Sequence, residues 1–310
     1  MEAPPLSIAI VMPVFNEEAV LPKTFRRLVG LFDQNPAYQW RAILVDDGSK
    51  DTSSSLLEDQ QINDPRFEII TLTRNFGFQS ALAAGIDAAA DADVVITMDA
   101  DLQDPPELVP ELIEAWRAGA EVVLAVRRTR QETGLRRLGM DTFHGIFGRL
   151  TDQQLTHNNA GTFGLMGREA AAAFRGLPER NRFFPGLRAW VGYQVAEVSY
   201  DRDSRAAGQP KQSMRRLVSY ALDGVFSFSR LPLRAVSYVG LFVALIGFSL
   251  GTFFTVRRLV GIEVAQTGFT TLVTLVLFLG GIQLIGIGVL GEYLGRIYDE
   301  VKQHPLYVVK

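Results

Sequence analysis

The stretch Val94-Val95-Ile96-Thr97-Met98-Asp99-Ala100-Asp101-Leu102-Gln103-Asp104-Pro105-Pro106 passes from an apolar, β-branched run into three carboxylates and two prolines. Such a run, bounded by turn-forming residues, predicts a strand over Asp93–Met98 that stops where the acids begin. Pro105 then opens a helix through Arg117, because proline suits the first turn of a helix. Working outward, the same alternation recurs. Ser7–Val14, Arg41–Val45 and Phe67–Leu72 read as strands before it and Glu121–Val126 as one after it, with helices over Glu18–Phe32 and Gln79–Ala90 between them. Strands alternating with helices predict an α/β domain around a mainly parallel, doubly wound sheet.

Ligands of such sheets bind beyond the carboxyl ends of the strands. Five polar groups fall at those ends: Asn16 and Glu17, Asp46 and Asp47, Arg74 and Asn75, Asp99 and Asp101, and Arg127 and Arg128. Their common placement predicts one shared site. Asp99 and Asp101 leave the sheet on one loop, and a hard divalent cation such as Mg²⁺ takes one or two carboxylates together with substrate phosphates. Gln103 is placed to join the same shell. An isolated Asp-x-Asp is also a common turn or cap, and the strand-end position is what favours the metal. Asp46-Asp47-Gly48-Ser49 offers acceptors for a base or ribose, with Gly48 free to turn sharply, or is an ordinary turn. Asn16 is a site residue or a helix cap. Arg127, Arg128, Arg130, Arg136 and Arg137 crowd the chain after the fifth strand, where guanidinium forks suit phosphate oxygens or an anionic lipid surface. Arg205 and Lys211 are further candidates for a headgroup.

The formal charge of −3 in 310 residues argues against a nucleic-acid partner. The absence of cysteine excludes disulfides, thiolate metal sites and cysteine nucleophiles. Met1–Ser7 lacks the features of a secretory signal, so the front domain is expected in the cytoplasm. Two stretches carry no charge, Ala235–Val256 and Phe269–Gly291, and each is long enough to span a hydrocarbon core that needs about 20 helical residues. The alternative is a pair of buried helices in a soluble protein. Basic residues flank the pair (Lys211, Arg215, Arg216, Arg230 and Arg234 before; Arg296, Lys302 and Lys310 after), against Arg257 and Arg258 between, which predicts both termini in the cytoplasm of an inner-membrane protein. Glycines such as Gly247, Gly280 and Gly286 suit close helix pairing. Over Met214–Arg230 apolar residues recur at helical spacing, predicting an interfacial amphipathic helix or one packed on the front domain. The expected organisation is therefore a cytoplasmic domain over 1–213, the amphipathic helix over 214–230, the two spans within 231–296, and a cytoplasmic tail over 297–310.

Four segments resemble, in order and spacing, family 2 glycosyltransferases with a GT-A fold. They are Pro13-Val14-Phe15-Asn16-Glu17-Glu18, Val45-Asp46-Asp47-Gly48-Ser49-Lys50-Asp51, Arg74-Asn75-Phe76-Gly77 and Met98 through Pro106. Within that family the chain is most similar to bacterial polyprenyl-phosphate glycosyltransferases, relatives of dolichyl-phosphate mannose synthase. Leu177-Pro178-Glu179-Arg180, Trp190-Val191-Gly192-Tyr193, Phe226-Ser227-Phe228-Ser229 and Leu290-Gly291-Glu292-Tyr293-Leu294-Gly295-Arg296 extend the resemblance over nearly the whole chain. It implies an inverting, metal-dependent transfer of a hexose from a nucleotide-diphosphate sugar, UDP-glucose first, to undecaprenyl or a similar polyprenyl phosphate for envelope glycan modification. UDP-linked amino sugars and GDP-mannose stand behind UDP-glucose. By position, Pro13, Val14, Asn16, Glu17, Asp46, Asp47, Arg74 and Asp99 would line the nucleotide-sugar site. Asp99, Asp101 and Gln103 would hold Mg²⁺ or Mn²⁺, and Arg127, Arg128, Arg205 and Lys211 would meet the acceptor phosphate. A homotetramer is implied as well.

The chain departs from the family pattern at two points. Where relatives commonly read Gly-Asp-Phe-Arg-Leu-Met, it has Gly161-Thr162-Phe163-Gly164-Leu165-Met166, so Thr162 stands at a catalytic position usually held by an acid. The aromatic expected after Lys211 is replaced by Gln212. A phosphate acceptor is anionic near neutral pH and needs no strong base, which keeps the enzyme reading. The rivals are a silent nucleotide-sugar-binding scaffold, which Thr162 and Gly164 motivate, and a processive polysaccharide synthase, which needs more spans and a Gln-x-x-Arg-Trp segment.

Overall fold

The structure is a computed structural model and describes residues 5–127, 160–180, 182–200, 231–260 and 268–310. In chain order these form β1 (Ser7–Val14), α1 (Leu21–Gln34), β2 (Gln39–Asp46), α2 (Ser53–Asn63), β3 (Phe67–Thr71), α3 (Phe78–Ala88) and β4 (Val94–Thr97). A 3₁₀ turn (Pro106–Leu108) follows, leading into α4 (Val109–Arg117). Then come β5 (Val122–Arg127), β6 (Ala160–Gly167), α5 (Arg168–Arg175), α6 (Phe184–Trp190), β7 (Val195–Tyr200), α7 (Leu231–Leu259) and α8 (Phe269–Lys302). The chain forms two compact units, one holding the sheet together with His304–Lys310, the other holding the two long helices.

The seven strands lie in the order β3-β2-β1-β4-β6-β5-β7. All neighbours are parallel except β6, which runs antiparallel between β4 and β5. A strand inserted this way leaves β5 parallel to β4, so the carboxyl ends of β1 to β5 and of β7 share one edge. β1 is buried along nearly its whole length because it lies between β2 and β4 with helices on the faces. Ile8, Ile10 and Met12 pack with Leu21, Phe25, Leu28 and Phe32 of α1, and Phe32 stacks on Trp40 at 5.2 Å. Each such side chain contributes roughly 1.5–3 kcal/mol by leaving water.

The expected α/β alternation is present, with local differences that have physical causes. α1 begins at Leu21 rather than Glu18, since Pro22 sits in its first turn and the Glu18 carboxylate is taken by the Thr52 amide at 3.0 Å and the Thr52 hydroxyl. The helix expected from Pro105 starts one residue later as a 3₁₀ turn, because Pro106 drives Pro105 into extended backbone (ψ 120°). Helix α2 has no signal in the sequence. Its sequence, Ser-Ser-Ser-Leu-Leu-Glu-Asp-Gln-Gln-Ile-Asn, carries no apolar stripe, and only Ser53 and Leu57 are buried.

In the second unit, Pro232–Leu250 and Phe278–Lys302 have mean hydropathies of 1.8 and 1.4 and are long and apolar enough to cross a membrane. Phe248 and Leu284 are 75% and 70% exposed, which suits lipid contact better than the core of a soluble protein. The two helices approach closely at Gly286, where an added Cβ would lie 3.1 Å from Val236 Cγ1. The amphipathic helix expected over Met214–Arg230 lies outside the described residues.

Candidate active site

The loops after β1 and β2 are tied to each other. Asn16 adopts a left-handed backbone (φ 54°), which asparagine tolerates better than most residues. Its amide donates to Ser49 Oγ at 3.1 Å, and its Oδ1 accepts the Lys50 amide at 2.8 Å. The Glu17 amide donates to Ser53 Oγ at 2.9 Å. Asn16 is thus a latch between loops and not the cap of α1, whose start has no side-chain cap. Pro13 and Val14 are buried in β1, in register with Val45 and Asp46, and the Val14 carbonyl accepts the Asp47 amide at 2.9 Å. Pro13 is tolerated inside the sheet because β4 stops pairing at Thr97, opposite Val11.

Asp46 and Asp47 hold loops. Asp46 accepts the Ser49 amide at 2.9 Å, closing the turn, and also the Ser54 hydroxyl. Asp47 accepts the amides of Phe76 at 2.7 Å and Gly77 at 2.9 Å. Burial nonetheless raises the Asp47 carboxyl above its ordinary value against the pull of those two amides. Gly48 makes the approach of the two loops feasible. It has φ 68°, and a Cβ there would stand 2.7 Å from Arg74 C and 2.8 Å from Asn75 N. Arg74 lies with its guanidinium 3.9 Å from the Phe76 ring centre, at the mouth of the same edge.

Asp99 and Asp101 follow β4 on a loop that is folded by its own carboxylates. Asp101 Oδ1 accepts the Gln103 amide at 3.1 Å, around a buried Leu102 in left-handed backbone (φ 61°). Such a conformation costs on the order of 1–3 kcal/mol and persists where the surroundings enforce it. From α1, the buried Thr24 hydroxyl donates to the Ala100 carbonyl at 3.0 Å. From below, Asp104 is fully buried and accepts the Asp99 amide at 3.4 Å and the Tyr200 hydroxyl at 2.8 Å. Thr162, on β6, donates its hydroxyl to Asp99 Oδ1 at 3.2 Å.

Electrostatics follow from this crowding. Burial first, then the charges of Asp104 and Asp101, push the Asp99 carboxyl up to about 7, against the Thr162 hydrogen bond. Arg127, at the end of β5, donates from Nε to Tyr200 Oη at 3.2 Å and places another nitrogen 3.9 Å from Asp104. Its guanidinium is thereby fixed beside the acid loop. Among the described residues no three carboxylate or imidazole groups converge on one point. The donor set of Asp99, Asp101 and the neighbouring Gln103 fits a cation that completes its shell with phosphate oxygens, and the crowding of acids around Asp99 is of the kind a bound cation relieves.

Three residues that the sequence does not single out support this arrangement. Asp104 follows Asp101 by three positions. Tyr200 stands opposite Arg127 in the β5–β7 register and packs edge-on against Phe163 at 5.6 Å. Arg188, buried on α6, donates to the Gly161 carbonyl at 2.9 Å and the Thr162 carbonyl at 3.4 Å, with its guanidinium 5.0 Å from the Phe184 ring centre. Gly164 leaves the room it needs, since a Cβ there would lie 3.0 Å from the Arg188 guanidinium and 2.6 Å from the Val123 carbonyl. Arg128, Arg130, Arg136, Arg137, Arg205 and Lys211 lie outside the described residues.

A family model described as Glycosyl transferase family 2 matches residues 9–174. Over 306 residues the chain is 44% identical to the SfII prophage-derived bactoprenol glucosyl transferase of Shigella flexneri, covering 98% of each chain. It is 43% identical over 306 residues to a glycosyltransferase of Synechocystis sp., covering 98% of this chain and 95% of that one. Among solved structures it is similar to the glucosyl-3-phosphoglycerate synthase of Mycobacterium tuberculosis in complex with phosphoglyceric acid (19% identity, TM-score 0.51, 71% of this chain and 78% of that one). It is likewise similar to a mannosyltransferase of Pyrobaculum calidifontis in complex with GDP-Man and Mn²⁺ (15% identity, TM-score 0.50, 93% and 86%). At these identities the likeness to the solved structures is one of fold.

Proposed function

The chain belongs to glycosyl transferase family 2 and is a glycosyltransferase with the GT-A fold, and from that premise we propose that it moves glucose from UDP-glucose to a polyprenyl phosphate with inversion. The observation that carries the reading is the strand-end pair Asp99 and Asp101 beside a fixed Arg127, in a chain that also has two helices apolar enough for a membrane. Relatives named bactoprenol glucosyl transferases align with it over 98% of its length, and this supports both the sugar and the lipid.

Asp99 and Asp101 would hold Mg²⁺ or Mn²⁺, with Gln103 beside them, and that ion supplies charge neutralisation for the departing diphosphate. Arg74, Asn16, Glu17, Asp46 and Asp47 form the donor side. Arg127 faces the phosphates. A phosphate oxygen of the lipid attacks the anomeric carbon from the side opposite the leaving UDP, so one C–O bond forms as another breaks and the configuration inverts. A phosphomonoester is largely dianionic near neutral pH, its second pKa being about 6. No proton has to be removed from the attacking oxygen, and Thr162 fits this chemistry by donating to Asp99. Arg128, Arg205 and Lys211 complete the acceptor side in this reading, the sheet domain and both termini are cytoplasmic, and the protein is a homotetramer.

The test is incubation of the full-length protein in detergent with radiolabelled UDP-glucose, polyprenyl phosphate and Mg²⁺ or Mn²⁺. Labelled lipid that disappears with EDTA is expected. Label from GDP-mannose or a UDP-amino sugar in its place would refute the donor. No labelled lipid from any donor would leave the silent scaffold standing.

A further inference from the structure

Beyond Lys302 the chain rejoins the sheet. Gln303 takes a left-handed conformation (φ 50°) that ends α8, and Pro305 prevents the helix from resuming. The residues that follow lie beside the carboxyl end of β3, one of the two edge strands. Leu72 forms an antiparallel bridge with Val309, the Thr73 amide donates to the Val308 carbonyl at 2.9 Å, and the Lys310 amide donates to the Thr71 carbonyl at 2.8 Å. On the other side the Leu72 amide donates to the Asp46 carbonyl at 2.9 Å. Residues 71–73 are therefore clamped between the end of β2 and this returning segment.

The clamped residues are the stem of the loop Arg74–Gly77. Its far end is held by Asp47 through the Phe76 and Gly77 amides, and α3 starts directly after it at Phe78. The returning segment also grips that helix, since the Tyr307 hydroxyl donates to Asp87 Oδ2 at 2.8 Å. Burial, then the Asp87 partner, push the Tyr307 phenol up to about 12, so it remains a donor at every working pH. One short segment thus holds both the strand that enters the loop and the helix that leaves it. Simple covering of an exposed strand edge would explain the backbone pairing. It does not explain the second grip on α3.

We propose that His304–Lys310 is a positioning strap for the Arg74–Gly77 loop, so that nucleotide binding depends on a segment delivered by the chain leaving the second apolar helix. The inference rests on the donor-side reading of Arg74 and Asp47. Without the strap the loop has to be ordered at the moment of binding, so its loss is expected to weaken nucleotide binding about tenfold, or about 1.4 kcal/mol.

The experiment titrates UDP, with Mn²⁺ present, into full-length protein, a variant lacking 304–310, Tyr307→Phe and Arg74→Ala, by calorimetry in detergent. We expect the deletion to raise the UDP Kd about tenfold and Tyr307→Phe about threefold, in keeping with the loss of one hydrogen bond. The donor KM should rise while the acceptor KM stays put. The peptide His-Pro-Leu-Tyr-Val-Val-Lys added to the deletion variant should restore binding, as an extended segment can add to a sheet edge from solution. Because the deletion threatens folding, Tyr307→Phe carries the decision alone wherever the deletion variant does not melt cooperatively. Kd values within twofold of wild type in both strap variants, with Arg74→Ala clearly weakened, overturn the strap. Unchanged binding in Arg74→Ala, or no UDP binding by wild type, overturns the donor-side reading and the strap with it.

Discussion

Removing a single oxygen, by Tyr200→Phe, tests how the site is held. The ring would stay in its edge-on contact with Phe163, 5.6 Å away, so no sizeable cavity forms. What disappears is the hydroxyl that donates to the fully buried Asp104 at 2.8 Å and accepts from Arg127 Nε at 3.2 Å. A hydrogen bond to a charged group is worth about 1.5–3 kcal/mol. Shifts of roughly 2–4 °C per kcal/mol are usual for units of 150–250 residues, so the melting temperature should fall by about 3–12 °C. The Tyr200 phenol is pushed up to about 12, by burial first and then by the Asp104 charge, so it keeps the proton that it donates to Asp104 at pH 6 and at pH 9 alike. With its Nε partner gone, Arg127 loses its fixed orientation, and the acceptor KM should rise several-fold, more than the donor KM. The assay is thermal unfolding followed by aromatic fluorescence, with labelled-lipid kinetics alongside, on wild type, Tyr200→Phe, Asp104→Asn and the double variant. Partners in one network couple by about 0.5–3 kcal/mol. Additive losses in the double variant, or a melting temperature and acceptor KM unmoved by Tyr200→Phe, would refute the linkage of Asp104, Tyr200 and Arg127.

Asp101→Ala should abolish transfer and Mn²⁺ binding, with stability lowered by no more than the roughly 0.5–1.5 kcal/mol of the lost Gln103 amide bond, and turnover within about tenfold of wild type would remove Asp101 from the metal role. Asp99, pushed up to about 7, retains its proton in the folded protein where an unfolded aspartate has already ionised near 4. Metal-free stability should therefore fall as pH rises from about 4 to 7, and apparent Mn²⁺ affinity should fall as pH drops below about 7, with one proton released per ion bound. Mn²⁺ titrations followed by electron paramagnetic resonance from pH 5.5 to 8 check this, and a flat affinity profile would contradict it. Gly48→Ala should cost about 1–3 kcal/mol, because φ 68° is unfavourable for alanine and the new methyl meets the Arg74–Asn75 backbone. Chemical denaturation measures the loss, and the donor KM should rise with it.

The parallel half of the sheet was readable because its strands are short apolar runs that stop at acids or amides, a pattern set locally by burial and turn chemistry. Asp99 and Asp101 could be located for the same reason. The antiparallel β6 was not, since Gly161, Gly164 and Gly167 dilute the strand signal and its place between β4 and β5 is decided by pairing across long sequence distances. β7 is half-exposed and escapes for a similar reason. Arg188 has no local signature at all. Its burial depends on the space left by Gly164, and only the folded chain brings the two together. The pairing of Val309 with Leu72 is of the same kind, a contact between one end of the chain and the third strand that no periodicity announces.

The reversal of β6 explains how Thr162, neither acid nor base, comes to hold Asp99. An antiparallel neighbour of β4 runs back past the carboxyl edge, so its first residues lie beside the acids that leave β4, and Gly164 pairs with Thr97. Thr97 donates its hydroxyl to the Thr162 carbonyl, Arg188 donates to the Gly161 and Thr162 carbonyls, and Thr162 passes the hold on to Asp99. The chain of donors ends on a carboxylate oxygen. A carboxylate at 162 would have faced Asp99 across the same short gap, adding a fourth negative charge to Asp99, Asp101 and Asp104 and raising the Asp99 carboxyl further. The hydroxyl instead lowers it, in the direction that readies Asp99 to bind a cation. For an acceptor that arrives ionised, a donor at this position costs the reaction no base and gives the Asp99 carboxylate a fixed orientation.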